Sequence, residues 1–339
     1  MAFVVPAEIG HAPYASPLID YLCQNFQRVQ IVAVRKKLFP DLSEDCWLLY
    51  TGGYGGSTAK IIFTPQESFE WSATPPDGGI EVSVREWRKD WNCRLRPFLL
   101  ASSVREFYLE TARDEASLRL GDFAKVGIGY VSGANDFFHL RPSEAKRWNI
   151  PKTFLHPAVR NSRSLDGKSI TQGTVAEWIR NDDEVLLLRL RAGDRIPSEV
   201  RRYLDSDAGQ VARGAYKCRT RAPWYVVPDV KIPNCVLTYM AGRSPTLASN
   251  QAGVTCTNTM HAIHLHSPAV AKKALQQWGS DFVNLSCEIE GHALGGGMLK
   301  LEVREASRIL FPEPNGSAIN AREMKGAIAT LRKWRHYDE

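Results

Sequence analysis

The chain has 339 residues, 44% hydrophobic and 24% charged, an ordinary balance for a globular protein with room for two domains. No apolar run approaches the ~20 residues that span a bilayer, and the N-terminus lacks the basic flank of a secretory signal, so a cytoplasmic protein is expected. Seven cysteines with no metal-ligand spacing argue against a disulfide framework and against a zinc site, and read as buried free thiols.

In chain order, residues 1–5 (MAFVV) form an apolar run of strand character closed by Pro6. A helix is expected over 13–26 and a second apolar strand over 29–34 (VQIVAV). Strand, helix, strand with continuous apolar runs is the pattern of a parallel α/β sheet buried on both faces. One such unit cannot bury both its faces, and no second unit follows at the right spacing. The missing strands are therefore expected on a partner polypeptide, unless the unit is a repurposed remnant. Residues 47–50 and 61–63 read as two strands around Gly52-Gly53-Tyr54-Gly55-Gly56. That cluster predicts a hairpin turn, not a phosphate loop, because no Lys-Ser/Thr follows it. Residues 72–79 (SATPPDGG) are a connector, and 83–120 read as helical, with Phe98, Leu99, Val104, Phe107, Tyr108 and Leu109 as apolar positions.

From Gly121-Asp122 onward, short apolar runs alternate with turns. Strands are expected at 126–131, 185–190, 224–227, 236–240 and 262–265, and helices at 143–148, 171–179, 198–204 and 269–279. The formal charge of +6 is unevenly placed. Between 201 and 221, Arg201, Arg202, Arg213, Lys217, Arg219 and Arg221 face only Asp205 and Asp207, and 322–335 is similarly basic. Such stripes suit a polyanionic partner.

Three sets of residues carry a resemblance. The first is Leu38-Phe39-Pro40 with Asp45-Cys46-Trp47-Leu48-Leu49 beyond it. The second is the run from Val126 to Phe138 (VGIGYVSGANDFF). The third comprises the run from Tyr216 to Tyr225 (YKCRTRAPWY), Asn250-Gln251-Ala252-Gly253, Cys256 to His261 (CTNTMH), and Glu290 to Leu301 (EGHALGGGMLKL). In this order they resemble the carboxyl-terminal half of the TaqI-like adenine-specific DNA methyltransferases of restriction-modification systems, over nearly the whole chain. The resemblance implies an α/β remnant of a methyltransferase sheet followed by a mixed α+β target-recognition domain. The implied divisions are 1–70 (partial catalytic domain lacking the cofactor loop), 71–120 (connector and helical arm), 121–312 (DNA target recognition) and 313–339 (basic C-terminal helix).

The chain departs from that family in one respect: neither its cofactor loop nor its Asn-Pro-Pro-Tyr motif is present. Thr74-Pro75-Pro76-Asp77 has neither the Asn nor the aromatic. No catalytic, cofactor-binding or metal-binding residue is therefore assigned. S-adenosylmethionine is expected only through a catalytic partner subunit or a missing N-terminal half, and the chain alone is expected to be inactive. Methylating an adenine requires extruding it from the duplex, at a cost of a few kcal/mol. By resemblance, Phe39 is the ring that stacks on the extruded base and returns about 1–3 kcal/mol.

For double-stranded DNA, Lys217, Arg219 and Arg221 alternate along an expected strand and would share a face, suiting phosphates or base edges. Arg160, Arg163 and Lys168 lie in a polar loop fit to enter a groove. Asn135 either presents its amide to a base or closes a turn. Asn258 and His261 fit a buried polar network, and the His264/His266 pair lacks a third ligand. Two rivals come from other classes. One is a restriction nuclease using Asp136, Glu144 and Lys146, or a specificity subunit of a restriction complex; residues 142–148, however, read as a capped helix start. The other is a protein–protein adaptor without DNA affinity.

Overall fold

The computed structural model describes all residues except 43, 166, 168, 314–319, 338 and 339. The N-terminal sheet contains β1 (Ala2–Pro6), β2 (Phe26–Val34), β3 (Cys46–Tyr54), β4 (Lys60–Gln66) and β5 (Ile80–Ser83), with α1 (Ser16–Asn25) between β1 and β2. The expected strand–helix–strand order is present, but β1 and β2 are not neighbours. The sheet runs β1-β3-β2-β4-β5. β3 inserts between β1 and β2, antiparallel to both, pairing Leu48 with Val4 and Leu49 with Ile31. The parallel pair is β2 with β4. The expected β3–β4 hairpin does not form either, since β2 separates those strands. The reason lies in the apolar run. Val29, Ile31, Val32, Ala33 and Val34 are 0–2% exposed, and only a central strand is covered on both faces and paired on both edges. The one polar residue in that run, Gln30, is satisfied by Thr64 Oγ1 at 3.0 Å and Pro76 O at 2.9 Å.

Two helices, α2 (Val84–Lys89) and α3 (Ser102–Arg113), follow the sheet. The chain then alternates short elements: β6 (Leu118–Arg119), α4 (Leu120–Phe123), β7 (Ala124–Ile128), α5 (Asn135–Phe138), β8 (His139–Leu140), α6 (Pro142–Arg147) and β9 (Leu155–Val159). Next come β10 (Ser169–Ile170), α7 (Gln172–Arg180), β11 (Leu186–Leu188), α8 (Ser198–Leu204), α9 (Asp207–Gly214) and α10 (Tyr216–Arg219). A strand-rich stretch holds β12 (Cys235–Thr238), β13 (Met240–Ala241), β14 (Leu247–Asn250), β15 (Thr255–Cys256) and β16 (Met260–Leu265). The rest is α11 (Pro268–Leu275), α12 (Asp281–Glu290), β17 (His292–Ala293), β18 (Leu299–Lys300), α13 (Val303–Arg308), β19 (Leu310–Phe311) and α14 (Ala321–Lys333).

Most expected elements appear with shifted ends. Two expected strands do not: 217–221 is not a strand, and 224–227 is irregular, because Trp224 packs its ring on Phe137 and Phe138 instead of joining a ladder. The main second sheet, β10-β14-β12-β16-β7, and a smaller one, β15-β9-β11-β8, frame the region after residue 121.

One face of the N-terminal sheet is covered by the chain's own helices. Ile19 and Leu22 of α1, Trp87 of α2, Tyr108 of α3, Phe282 and Ile289 of α12 and Ile328 and Leu331 of α14 share a core with Ile31, Leu49 and Phe63. The expectation that both faces need outside cover is thereby corrected for this face. The other face has a small cluster, Val32, Val34 and Leu48, beneath Leu38 and Tyr50. β1 is an edge strand with Phe3 and Val4 half exposed.

The basic enrichment at 322–335 is also partly reassigned. Arg335 is fully buried and donates to Glu288 Oε1 at 2.8 Å and Oε2 at 3.1 Å. Arg96 reaches the same carboxylate at 3.0 Å and the Leu331 carbonyl at 2.8 Å. Arg94 pairs with Glu290 at 2.6 Å. Burial opposes the charged form of Glu288, but the guanidinium groups of Arg96 and Arg335 outweigh it and hold its carboxyl below the ordinary 4.5. Glu288→Ala strands two buried cations and is expected to cost about 3–5 kcal/mol, read from the urea midpoint. Because the folded-state pKa is depressed, this stabilisation is complete above the unfolded value and drains as pH falls below it. Wild type should lose stability below pH 4.5 more steeply than the variant.

Candidate nucleic-acid interface

Lys217, Arg219 and Arg221 are not on a strand. The first two lie on the one-turn helix α10, whose single inward residue, Cys218, is fully buried. Arg221 turns inward, donating from Nη1 to Ser132 O at 2.7 Å and from Nη2 to Val131 O at 2.6 Å. The expected common face of three cations is thus replaced by two exposed cations and one that staples α10 to the 131–135 loop. The alternation of the sequence arises from one buried thiol and one anchoring arginine.

Gly133 explains the close fit at that staple. Its φ is +86°, and a Cβ placed there would come within 2.7 Å of Lys217 Cβ. Only glycine offers both the left-handed backbone and the missing side chain. Further along the loop, Ser132 Oγ donates to Asn135 Oδ1 at 2.5 Å. Asn135 also opens α5, so turn closure and an amide free for a ligand coincide in this one residue. Its carbonyl lies 3.0 Å from His139 Nδ1, while His139 Nε2 lies 2.6 Å from the Tyr130 hydroxyl. A carbonyl only accepts, so Nδ1 carries the proton and Nε2 accepts from the phenol. The amide nitrogen of Asn135 has no hydrogen-bond partner among the described residues, and the residue is half-buried on a held loop.

Arg160 reaches Asp136, next to Asn135, and also Glu184. Its carbonyl accepts from Thr257 Oγ1 at 2.7 Å and Thr259 Oγ1 at 2.6 Å. Arg163 shares with Arg160 a polar cleft of about 390 Å³, which Arg141, Trp178 and Glu184 also line. Asn135, Arg160, Lys217 and Arg219 are therefore gathered around the 131–136 loop, and Arg163 borders the group. Lys168 lies outside the described residues. Phe39 belongs to the N-terminal sheet, in the turn that leaves the carboxyl end of β2. It is 46% exposed, and its carbonyl is bonded by Leu42 N at 3.1 Å. Of the nuclease set, Asp136 is paired with Arg160, and Glu144 caps α6 by accepting from Arg141 N at 3.0 Å. His261 is fully buried, its Nε2 at 2.7 Å from Leu301 O.

Two contributors were not singled out from sequence. Tyr216, 65% exposed, lies beneath both α10 cations, and the Tyr130–His139 pair props the loop. For Tyr216 the signal was an aromatic directly before Lys-Cys-Arg. For His139 there was none, since its role depends on a partner nine residues away. Burial lowers the His139 pKa from 6.5 to about 4. The unfolded chain therefore binds this proton first on acidification, and the stabilisation present above pH 6.5 is lost as pH falls toward 4. Thermal melts across that window should fall for wild type and fall less for His139→Gln, which starts lower.

Residues 93–338 match the family of the C-terminal domain of Type II methyltransferase M.Eco57I. The chain belongs to that family. It is 27% identical to the Type II methyltransferase M.XamI of Xanthomonas campestris pv. amaranthicola over 201 residues, 58% of this chain and 36% of that protein. It is 22% identical to the Type II methyltransferase M.AccI of Acinetobacter calcoaceticus over 151 residues, 44% of this chain and 27% of that one. The matches thus span about a third of those relatives. Among solved structures, the Type IIL restriction-modification enzyme MmeI in complex with DNA aligns with a TM-score of 0.47 at 12% identity, covering 97% of this chain and 41% of that one. The type IIG restriction endonuclease BpuSI aligns at 0.44 and 16%, covering 98% and 42%. No helix among the described residues is long and apolar enough to cross a membrane.

Proposed function

We propose that this chain is the DNA target-recognition portion of a TaqI-like, adenine-specific methyltransferase. In this reading, S-adenosylmethionine is held by another part of the enzyme, in the same polypeptide or a partner subunit. The observation that carries the reading is the pair of exposed cations Lys217 and Arg219, without ion pairs among the described residues, on the helix that packs against the Asn135 loop, in a chain of this methyltransferase family. Phosphate contacts supply affinity and position; a side-chain amide hydrogen-bonds base edges. Arg163, on the neighbouring cleft, contributes further positive charge, whereas Arg160 reaches DNA only by exchanging its carboxylate partners Asp136 and Glu184 for phosphate. Phe39, in its exposed turn, is the proposed platform for the extruded adenine. The free edge of β1, with Phe3 and Val4 exposed, is where the rest of a catalytic sheet would join.

Three measurements test this. The purified chain should bind duplex DNA with an affinity that falls steeply with salt, while showing no calorimetric S-adenosylmethionine binding and no methyl transfer. Salt-insensitive or absent DNA binding, or methylation by the chain alone, would reject the reading. Asn135→Ala should relax discrimination at one base position by about 1–3 kcal/mol in a fluorescence-anisotropy panel. Phe39→Ala should weaken binding to a duplex mismatched at the target adenine, whose extrusion is cheaper, by about 1–3 kcal/mol.

A further inference from the structure

The positively charged end of the α9–α10 segment is built around an aromatic ring. Lys217 Nζ lies 5.7 Å and the Arg219 guanidinium 5.5 Å from the centroid of the Tyr216 ring. Among the described residues, neither cation is paired with a carboxylate, and the Tyr216 hydroxyl makes no hydrogen bond. Arg213, one turn earlier on α9, is exposed and equally unpaired. In sequence, Asp207 opens α9 ten residues before Lys217, and Asp229 lies ten residues beyond Arg219. Two other cations of this region are engaged: Arg221 by carbonyls of the 131–135 loop, Arg160 by Asp136 and Glu184.

The platform beneath is rigid. Cys218 is fully buried and directs its thiol at Ser132 O, 3.6 Å away. Thr220 Oγ1 is bonded to the Tyr216 and Lys217 carbonyls at 3.1 and 3.2 Å. A ring face attracts cations through its quadrupole, and the Tyr216 ring holds two of them at once.

We propose that Tyr216, Lys217 and Arg219 form one phosphodiester clamp, in which the two cations bind the DNA backbone and Tyr216 is the positioning residue that holds them together. This rests on the DNA-binding reading and goes further: it assigns Arg219 to backbone positioning, not base readout, and gives Tyr216 a role. Guanidinium and ammonium groups gathered over one ring present several donors to a single anionic oxygen cluster. Such a clamp strengthens binding to all sequences alike.

The test is fluorescence anisotropy of the full chain with a panel of unrelated duplexes at several salt concentrations. Lys217→Ala with Arg219→Ala should flatten the log–log salt slope by about 1.8, at ~0.9 for each phosphate no longer neutralised, equally for every duplex. Tyr216→Ala keeps both charges, so the slope should hold while affinity falls about five- to thirtyfold. Two cation–ring attractions of roughly 0.5–1 kcal/mol each set this range, as the preorganisation of the cations that is lost with the ring. Tyr216→Phe retains the ring and should restore most of that affinity. The side chain of Tyr216 is mostly exposed, and matched circular dichroism melts identify any variant whose fold has changed. Wild-type affinity in Tyr216→Ala, or a Phe variant as weak as the Ala variant, overturns the positioning role. An unchanged slope in the double variant, with wild type binding normally, overturns the clamp and leaves the DNA-binding reading standing. No binding by wild type rejects that reading and the clamp with it.

Discussion

The carboxylate of Glu288 is the point on which the rest of the structure depends. It is contributed by α12 and grasped by Arg96, which precedes α3, and by Arg332 and Arg335 at the end of α14. Segments nearly 240 residues apart in sequence thus share one buried anion. Taking such charges out of water costs several kcal/mol per ion, and only close geometry with further hydrogen bonds compensates. That compensation is present: Arg96 also bonds Leu331 O, and Arg335 also bonds Gly297 O and Arg243 O. α12 carries the network on one side and two hydrophobic cores on the others. Phe282, Leu285 and Ile289 join the core beneath the N-terminal sheet, while Val283 and Cys287 join that of the second sheet. Ser286 completes the link, 3.1 Å from the Tyr108 hydroxyl and accepting from Leu310 N at 2.9 Å.

This arrangement divides the basic residues of the chain into two populations with different physics. Arg94, Arg96 and Arg335 are buried and matched against Glu288 and Glu290, with Glu305 at 3.7 Å from Arg94. Their charge is spent on holding layers together. Arg213, Lys217 and Arg219 are exposed and, among the described residues, unpaired, so their field is available to a ligand. Arg221 falls between the two: it is half-buried, and its donors are held by backbone carbonyls, not by a carboxylate. Its two carbonyl partners hold the 131–135 loop against α10, and so set the distance between the Asn135 amide and the exposed cations.

The candidate interface follows from that staple. Local preferences alone would leave the loop from Val131 to Ala134 mobile, since a Ser-Gly-Ala sequence imposes little. Here it is fixed from three sides: by Arg221, by the thiol of Cys218, and by the imidazole of His139 on the Asn135 carbonyl. Binding groups held in this way lose little entropy when a ligand arrives.

Periodicity and apolar runs in the sequence determined the element inventory. The second apolar strand, the helices at 143–148, 171–179 and 198–204, and the mixed α+β character after residue 121 are all local patterns, and locally encoded features survive folding. The family is also written in the sequence, since residues 93–338 carry its match. Strand adjacency was not legible. β3 pairs between β1 and β2 because burial of the most apolar strand is decided by the whole sheet, and no spacing rule contains that. The side on which each cation falls was equally hidden. Lys217, Arg219 and Arg221 alternate as a strand would, but a single buried thiol and two backbone carbonyls turn the segment into a helix with one arginine inward. Whether an arginine is a structural tie or an open charge depends on carboxylates and carbonyls brought from distant parts of the chain. Only the tertiary structure supplies those partners, and with them the face that a polyanion can reach.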